Sequence, residues 1–348
     1  MKHTPYPFLP RLARRAALAA SAAVLAAAPA LAQDTQTLKV SHLFNPTVYL
    51  WEHGGQLFVD EVTKAAGDAV KFEVYPAAQL GKDLIGSLNS GLADISIIPV
   101  SYVPDKLPLS SVAELPGTYA SACEGTEKLW NIVKEGGPLN TAEYAPQGMH
   151  VLFVTALPPY HITTAKPITG DLSSIQGLKL RANGAAMDKT VRALGAVPSK
   201  IPASELFDAI SRGTIDGGLY NYHGIPEYHL EDVLKYSVEG PRLGAAAIVF
   251  AMSDKSWQGL SDEMKGIFTA AAANAQASLC DWTGKSDATL RDRIVSQNGH
   301  TAITMTPEQV AIWEKAAEPV VTSWKEEMDK AGKDGSAMFE AFNAAATN

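Results

Sequence analysis

The amino-acid sequence predicts an α/β fold that is divided into two lobes. The chain has 348 residues, of which 46% are hydrophobic and 19% charged, a composition typical of a globular protein. A single hydrophobic core stops growing at about this length, so two lobes are favoured over one. Patterns typical of strands and of helices alternate along the chain, and this alternation favours mostly parallel sheets covered by helices.

The first 32 residues predict a cleavable secretory signal peptide. They contain four cations and no acid, then an apolar run over 16–28, and they end in the small-residue triplet Ala30-Leu31-Ala32. The apolar run is too short to span a bilayer, so we expect an exported and soluble mature chain. The Arg14-Arg15 pair leaves the export route open between the general and the twin-arginine pathway.

The mature chain is acidic. Loss of the signal peptide removes four cations and no acid, so the formal net charge changes from −8 to −12. An acidic protein lacks the positive footprint that binds phosphate backbones, and nucleic acid is therefore not expected as a partner.

Apolar periodicity predicts the elements in order. The first half contains strands at 38–43, 70–75 and 95–98 and helices at 48–66 and 83–88. After a strand at 151–155 and a polar stretch at 161–164, the second half contains strands at 178–182 and 214–220 and helices at 185–194 and 204–212. The last third contains a strand at 245–252 and long helices at 262–298 and 308–330.

A short internal repeat supports two related lobes. Five positions recur 122 residues later with the same offsets: Leu84, Ile85, Leu88, Gly91 and Asp94 match Leu206, Phe207, Ile210, Gly213 and Asp216. Each copy predicts an amphipathic helix, a glycine that ends it with a positive φ, and a strand that opens with an acid.

Motifs for catalysis and cofactors are missing from the sequence. It contains no dinucleotide-binding, P-loop, nucleophile-elbow or zinc-protease signature, and its eight histidines lack the close spacing of metal ligands. We therefore expect no cofactor, no metal and no catalytic residue. Cys123 and Cys280 are 157 positions apart, which leaves open whether they form a disulfide or remain two buried thiols.

Two strand ends of the second half carry groups that suit an anionic ligand. Arg181 ends a strand and is followed by Asn183, Gly184 and a helix, an arrangement typical of carboxylate sites but also of surface ion pairs. The next strand leads into Tyr220, Asn221 and Tyr222, which occur in binding pockets and in ordinary turns. In the first half, Phe44 and Tyr102 follow strand ends that would face the same cleft.

Several of these segments together resemble the DctP-type solute-binding proteins of tripartite ATP-independent periplasmic (TRAP) transporters. The matching runs are YPAAQLG (75–81), SGLADI (90–95), GLKLR (177–181), LGAVP (194–198), SELFDAI (204–210) and GTIDG (213–217). The resemblance covers nearly all of the mature chain. It implies a two-lobed periplasmic binding protein with hinge strands and a long linking helix, with 33–157 plus 244–284 as the first lobe and 158–243 plus 285–348 as the second.

The resemblance also implies a function and a site. It implies a monomeric, non-enzymatic receptor in the periplasm of a Gram-negative bacterium that captures an organic acid and delivers it to the small and large TRAP membrane subunits. Arg181 matches the family's carboxylate-binding arginine, and Tyr220 or Asn221 matches a side-chain ligand. His161 stands near the place where sialic-acid-binding members carry a further arginine, which argues against sialic acid.

The full set of candidate ligand residues is Arg181, Tyr220, Asn221, Tyr222, His161, Phe44 and Tyr102. Their aromatic character favours an acid with an apolar or aromatic portion. A C4-dicarboxylate ligand, a ligand-presenting subunit of a sensor system and an exported enzyme are the alternatives.

Overall fold

The computed structural model describes residues 1–3, 35–297 and 299–344. Nearly all of the predicted signal peptide, residues 1–32, lies outside these described residues. Within them, no helix combines the length and the apolar character needed to cross a membrane. The described residues from Gln36 to Ala344 form one compact unit.

Strands and helices alternate along this unit, as expected. The strands are β1 (Gln36–His42), β2 (Val70–Tyr75), β3 (Ile95–Pro99), β4 (Met149–Ala156), β5 (His161–Thr164), β6 (Lys179–Arg181), β7 (Val197–Ser199), β8 (Gly217–Tyr220), β9 (Tyr236–Glu239), β10 (Ala247–Ser253) and β11 (Thr301–Thr304). The helices are α1 (Gln56–Ala66), α2 (Leu84–Ser90), α3 (Ala122–Val133), α4 (Ala185–Ala193), α5 (Leu206–Ser211), α6 (Gly224–Glu227), α7 (Asp254–Gln258), α8 (Asp262–Gln297), α9 (Pro307–Lys330) and α10 (Gly335–Ala344).

The strands form two sheets. The first has the order β2-β1-β3-β10-β4, and the second has the order β11-β9-β5-β8-β6-β7. Among the described residues, five of the nine strand pairings are parallel, so both sheets are mixed and parallel pairs hold a small majority. The predicted two-lobed α/β architecture is confirmed, and parallel pairings are the more numerous in the described sheets.

Two chain segments and one helix connect the sheets. The segment after β4 runs beside the segment before β10, because the Leu157 N–H donates to the Ala246 oxygen (2.8 Å) and the Tyr160 N–H donates to the Gly244 oxygen (2.9 Å). The 36-residue helix α8 packs on α1, α3 and β4 with its first part. Near its end, Arg291 binds Glu239 of β9. These are the hinge strands and the long linking helix.

The internal repeat has the same local structure in both copies. Asp94 directly precedes β3, and its Oδ2 accepts a hydrogen bond from the Lys39 N–H (2.8 Å) in β1. Asp216 precedes β8, and its Oδ2 accepts one from the Lys179 N–H (2.9 Å) in β6. Each aspartate therefore fixes the register of two neighbouring parallel strands.

The two cysteines form a disulfide between α3 and α8. The Cα atoms of Cys123 and Cys280 are 5.1 Å apart, within the range that the bond requires. Towards the C-terminus, α9 packs on α4, and α10 packs on α9 and α3. The assignment of 285–348 to the second lobe stays a prediction.

Candidate ligand-binding site

A small aromatic cavity of about 60 Å³ lies where the ends of both sheets meet. Phe44 after β1 and Tyr102 after β3 contribute from the first sheet, whereas Arg181 of β6, Tyr220 of β8 and Asn221 contribute from the second. The other lining side chains include Val48, Tyr49, Leu157, Tyr160, Met187, Glu227 and Tyr228. The structure thus brings together five of the seven residues that the sequence predicts for the site.

Arg181 supplies a buried positive charge. Arg181 is only 3% exposed. Its Nε donates a hydrogen bond to the Ile201 backbone oxygen (3.0 Å), and its Nη1 donates one to the Leu219 backbone oxygen (3.4 Å). Burial opposes the charged form, but the tyrosines Tyr102, Tyr220 and Tyr160 outweigh it, and the pKa of Arg181 is raised. The guanidinium therefore stays a cation, as arginine does throughout the physiological range.

Asn183 and Tyr102 hold the remaining side of the guanidinium. In the amide orientation that satisfies its neighbours, Asn183 accepts hydrogen bonds from Arg181 Nη2 and from the Tyr102 hydroxyl, both at 3.3 Å, and donates to the Ile201 oxygen. Three of the five N–H groups of Arg181 are then used by the protein. One N–H remains on each terminal nitrogen, beside the hydroxyl groups of Tyr102 and Tyr160, and a carboxylate can pair with a guanidinium through two such groups.

Tyr220 and Asn221 form the next wall of the cavity. The Arg181 Cζ lies 5.1 Å from the centre of the Tyr220 ring, within the range of a cation–π contact. Gly224 makes room for this ring, because a Cβ at position 224 would lie 2.4 Å from it. The Asn221 Oδ1 accepts a hydrogen bond from the Gly224 N–H (2.9 Å). This bond fixes the Asn221 side chain against the first turn of the short helix α6.

His161 and Tyr222 lie outside the lining of this cavity. The Tyr222 hydroxyl bonds to Ser237 (2.8 Å) and to Glu239 (2.5 Å), and the His161 ring packs against Tyr222 at 5.0 Å. Burial lowers the pKa of His161. These contacts belong to a polar cluster between β9 and α8, and a ligand role for either residue stays a prediction.

Glu227 is a cavity residue that the sequence does not reveal. It is the last residue of α6, and its Oε1 accepts a hydrogen bond from the Tyr49 N–H (2.7 Å), 178 positions earlier in the chain. Burial raises the pKa of Glu227 to about 8. Only the tertiary fold brings this acid into the cavity that Arg181 also lines.

A larger cavity of about 520 Å³ adjoins the first and shares with it Phe44, Pro99, Tyr102, Ala203 and Tyr228. Two cations, Lys82 and Lys200, also line it. A ligand whose carboxylate binds Arg181 therefore has space to extend past Tyr102.

Two sheets that are bridged by paired strands and a long helix, with a buried guanidinium in an aromatic cavity between them, define a two-lobed solute-binding protein. The family model of DctP, the bacterial extracellular solute-binding protein family 7, matches residues 41–327. The chain belongs to this family, and the expectation of a TRAP-type solute-binding protein is confirmed. The family is extracytoplasmic and consists of binding proteins.

Individual relatives agree with this assignment. A solute-binding protein of Albidiferax ferrireducens is 24% identical over 302 residues, which cover 84% of this chain and 87% of the relative. A TRAP solute-binding protein of Rhodoferax ferrireducens, solved with copurified benzoate, has a TM-score of 0.80 at 24% identity and covers 90% of this chain and 98% of its own. A marine metagenome TRAP protein, solved with 3-hydroxybenzoate, has a TM-score of 0.80 at 23% identity with the same coverage.

Proposed function

We propose that this protein is a monomeric, non-catalytic periplasmic receptor that captures an organic acid and delivers it to the membrane subunits of a TRAP transporter. The acid has an aromatic or apolar body. The observation that carries the proposal is Arg181, a buried guanidinium in a cavity that is lined by residues of both lobes.

The charge of Arg181 explains why a carboxylate is the preferred ligand group. Among the described residues, no carboxylate forms an ion pair with this guanidinium. A buried charge costs several kcal/mol unless it is paired, and a ligand carboxylate offsets that cost. The net negative charge of the protein does not prevent this, because surface charges are screened beyond about 8 Å at physiological salt.

The aromatic wall explains the preference for the body of the ligand. Phe44, Tyr49, Tyr160, Tyr220 and Tyr228 surround the space next to Arg181. Their rings offer flat apolar surface for stacking. Both solved relatives described above carry benzoate or a hydroxybenzoate in their structures.

Binding to both walls also supplies the mechanism of capture. Phe44 and Tyr102 follow strands of the first sheet, whereas Arg181, Tyr220 and Asn221 belong to the second. A ligand that contacts both groups binds the closed arrangement more tightly than an open one, and only that difference in affinity closes the lobes. The closed form then docks on the membrane subunits.

A C4-dicarboxylate is the second candidate ligand. Lys82 and Lys200 in the adjoining cavity could pair with a second carboxylate while Arg181 holds the first. A library that contains succinate and malate beside benzoate and phenylacetate separates the two candidates directly.

The test is a thermal-shift screen of small carboxylates with the mature protein and two variants. A ligand at 100 times its dissociation constant adds about 2.7 kcal/mol to the free energy of unfolding. We expect this stabilisation to disappear in Arg181→Ala and to return only weakly in Arg181→Lys, which lacks the planar fork.

The matched control is Arg212→Ala, which removes an exposed arginine that pairs with Asp208. This variant should respond to the same acids as the wild type. Equal affinity of the wild type and Arg181→Ala would remove Arg181 from the site. Mass spectrometry of the acid after incubation with the protein tests for turnover. Chemical conversion of the acid would contradict a receptor without catalytic activity.

A further inference from the structure

The Glu227 carboxyl is a second polar group in the cavity that holds Arg181. Its Oε1 is occupied by the Tyr49 N–H, whereas its Oε2 forms no hydrogen bond with any described residue. The Tyr49 hydroxyl, on the same wall, also lacks a hydrogen-bond partner. A partly exposed carboxyl oxygen in the cavity without a protein partner is a position where a ligand group can form a hydrogen bond that the apolar rings cannot.

We propose that Glu227 recognises a hydroxyl group on the body of the bound acid, so that the receptor prefers hydroxylated carboxylic acids to their unsubstituted parents. This inference rests on the proposed function, because Arg181 must hold the carboxylate first. It adds the chemical class of the ligand and a specificity residue.

A hydroxyl group suits the Glu227 carboxyl better than a cationic group does. Burial favours the protonated, neutral form of this side chain, and a neutral carboxyl group can donate one hydrogen bond and accept another. A ligand hydroxyl can do the same, so the two groups match whichever one donates. A ligand ammonium would require the ionised carboxylate, and burial makes that form costly.

The position of Glu227 also couples recognition to closure. The bond from the Tyr49 N–H connects the segment before α1 with α6 of the other lobe. A ligand hydroxyl that bonds to Glu227 therefore contacts a residue that already bridges the cleft. A site built to pair with a hydroxyl discriminates strongly against analogues without one, because its own polar atom would stay unpaired.

The experiment compares two matched pairs of acids by isothermal titration calorimetry: mandelate with phenylacetate, and 3-hydroxybenzoate with benzoate. The proteins are the wild type, Glu227→Gln and Glu227→Met. In the wild type we expect the hydroxylated member of at least one pair to bind about tenfold more tightly, as one hydrogen bond to a buried group allows. Glu227→Gln keeps a donor and an acceptor and should retain most of this preference.

Glu227→Met keeps the length of the side chain without its polar atoms. It should reduce the preference to below about threefold while the parent acid binds as it does to the wild type, which also shows that the variant is folded. The control is Glu52→Gln: Glu52 is an exposed acid whose charge raises the pKa of Glu227 without lining the cavity. This variant should keep the preference.

Equal affinities within both pairs in the wild type would overturn the inference, and so would a preference that survives in Glu227→Met. Binding of the parent acids that depends on Arg181 would leave the receptor function standing in either case. If the wild type binds none of the four acids, the inference is wrong, and the receptor function is decided by the wider carboxylate screen.

Discussion

Tyr102 connects the two halves of the site through one hydroxyl group. Its oxygen accepts a hydrogen bond from the Ala203 N–H (3.3 Å), and its hydrogen is donated to Asn183, which in turn holds Arg181. Tyr102 follows β3 of the first sheet, whereas Arg181 ends β6 of the second sheet and Asn183 and Ala203 flank β6 and β7. The hydroxyl thus orients Arg181 and connects the two sheets at the same time.

Tyr102→Phe tests this double role. Loss of the hydroxyl removes two hydrogen bonds, each worth about 1 kcal/mol, so we expect the acid selected in the carboxylate screen to bind about 3- to 30-fold more weakly. The measurement is titration calorimetry. Tyr75→Phe is the matched control, because it removes an exposed hydroxyl that bonds only to Glu73 (2.8 Å). An unchanged affinity in Tyr102→Phe would show that the hydroxyl has no part in binding.

At the scale of single residues, the sequence predicts Arg181, which lines the cavity, but it does not predict Glu227. The position of Arg181 between a strand and a glycine-led helix is also typical of surface ion pairs, and the resemblance to the family selects it. Glu227 lies at the cavity through tertiary contacts, such as the hydrogen bond from the Tyr49 N–H, which is 178 positions earlier in the chain. No local pattern in the sequence predicts such a contact. Tyr222 is not among the residues that line the cavity, because β8 ends at Tyr220 and the chain turns at Asn221, and alternation of side chains does not locate that end.

At the scale of elements, the long helices were predicted, and so were the short strands β6 and β8, but other short strands were not. The predicted helices at 262–298 and 308–330 agree with α8 and α9 within one residue, because α8 is rich in alanine and α9 in glutamate and lysine, all residues of high helix propensity. By contrast, β7, β9 and β11 have three or four residues each and depend on their partners in the sheet. The predicted helix at 48–66 is observed without a break from Tyr49, with one π-helical turn at Trp51–Gly55 before α1.

The disulfide between α3 and α8 gives a prediction at this scale. Crosslinking Cys123 and Cys280 closes a loop of 157 positions, and such a bond stabilises a protein by about 2–5 kcal/mol. The double variant Cys123→Ser, Cys280→Ser should therefore lose that much free energy of unfolding in urea titrations. Its ligand affinity should stay within about threefold, since neither cysteine lines the cavity.

A reductant provides the control for the disulfide. It should lower the unfolding midpoint of the wild type and leave that of the double serine variant unchanged. A wild-type midpoint that does not respond to the reductant would contradict the crosslink.

At the scale of the whole molecule, the two lobes meet around a buried acid. Glu114 ends the turn Leu109–Glu114 and is 1% exposed, and neither of its carboxyl oxygens has a hydrogen-bond partner of good geometry. Gly184, at the start of α4, approaches it so closely that a Cβ there would lie 3.0 Å from Glu114 Oε2 and from the Ser101 side chain. The acid thus lies between the turn after β3 and the helix that follows Arg181.

Burial raises the pKa of Glu114 well above its usual value, although the backbone N–H groups of Ala247 and Ser101 act in the opposite direction. The titratable neighbours that it influences include the tyrosines Tyr119 and Tyr160, which are neutral at pH 7. The folded protein therefore holds a proton that the unfolded chain releases above a pH of about 4.3. This contribution to stability is complete below that pH and is lost as the pH rises towards the pKa of the folded state.

Glu114→Gln should abolish this pH-dependent loss of folding stability, because the amide has the same shape as the carboxyl group and does not ionise. The melting temperature of the variant minus that of the wild type should thus increase between pH 5 and pH 8, by the equivalent of at least about 1 kcal/mol, since one pKa unit corresponds to 1.4 kcal/mol. Glu318→Gln, which changes an exposed acid of α9, should follow the wild type at every pH. A constant difference between Glu114→Gln and the wild type across this range would mean that Glu114 carries the same charge in both states, and that the lobes meet around an ionised group.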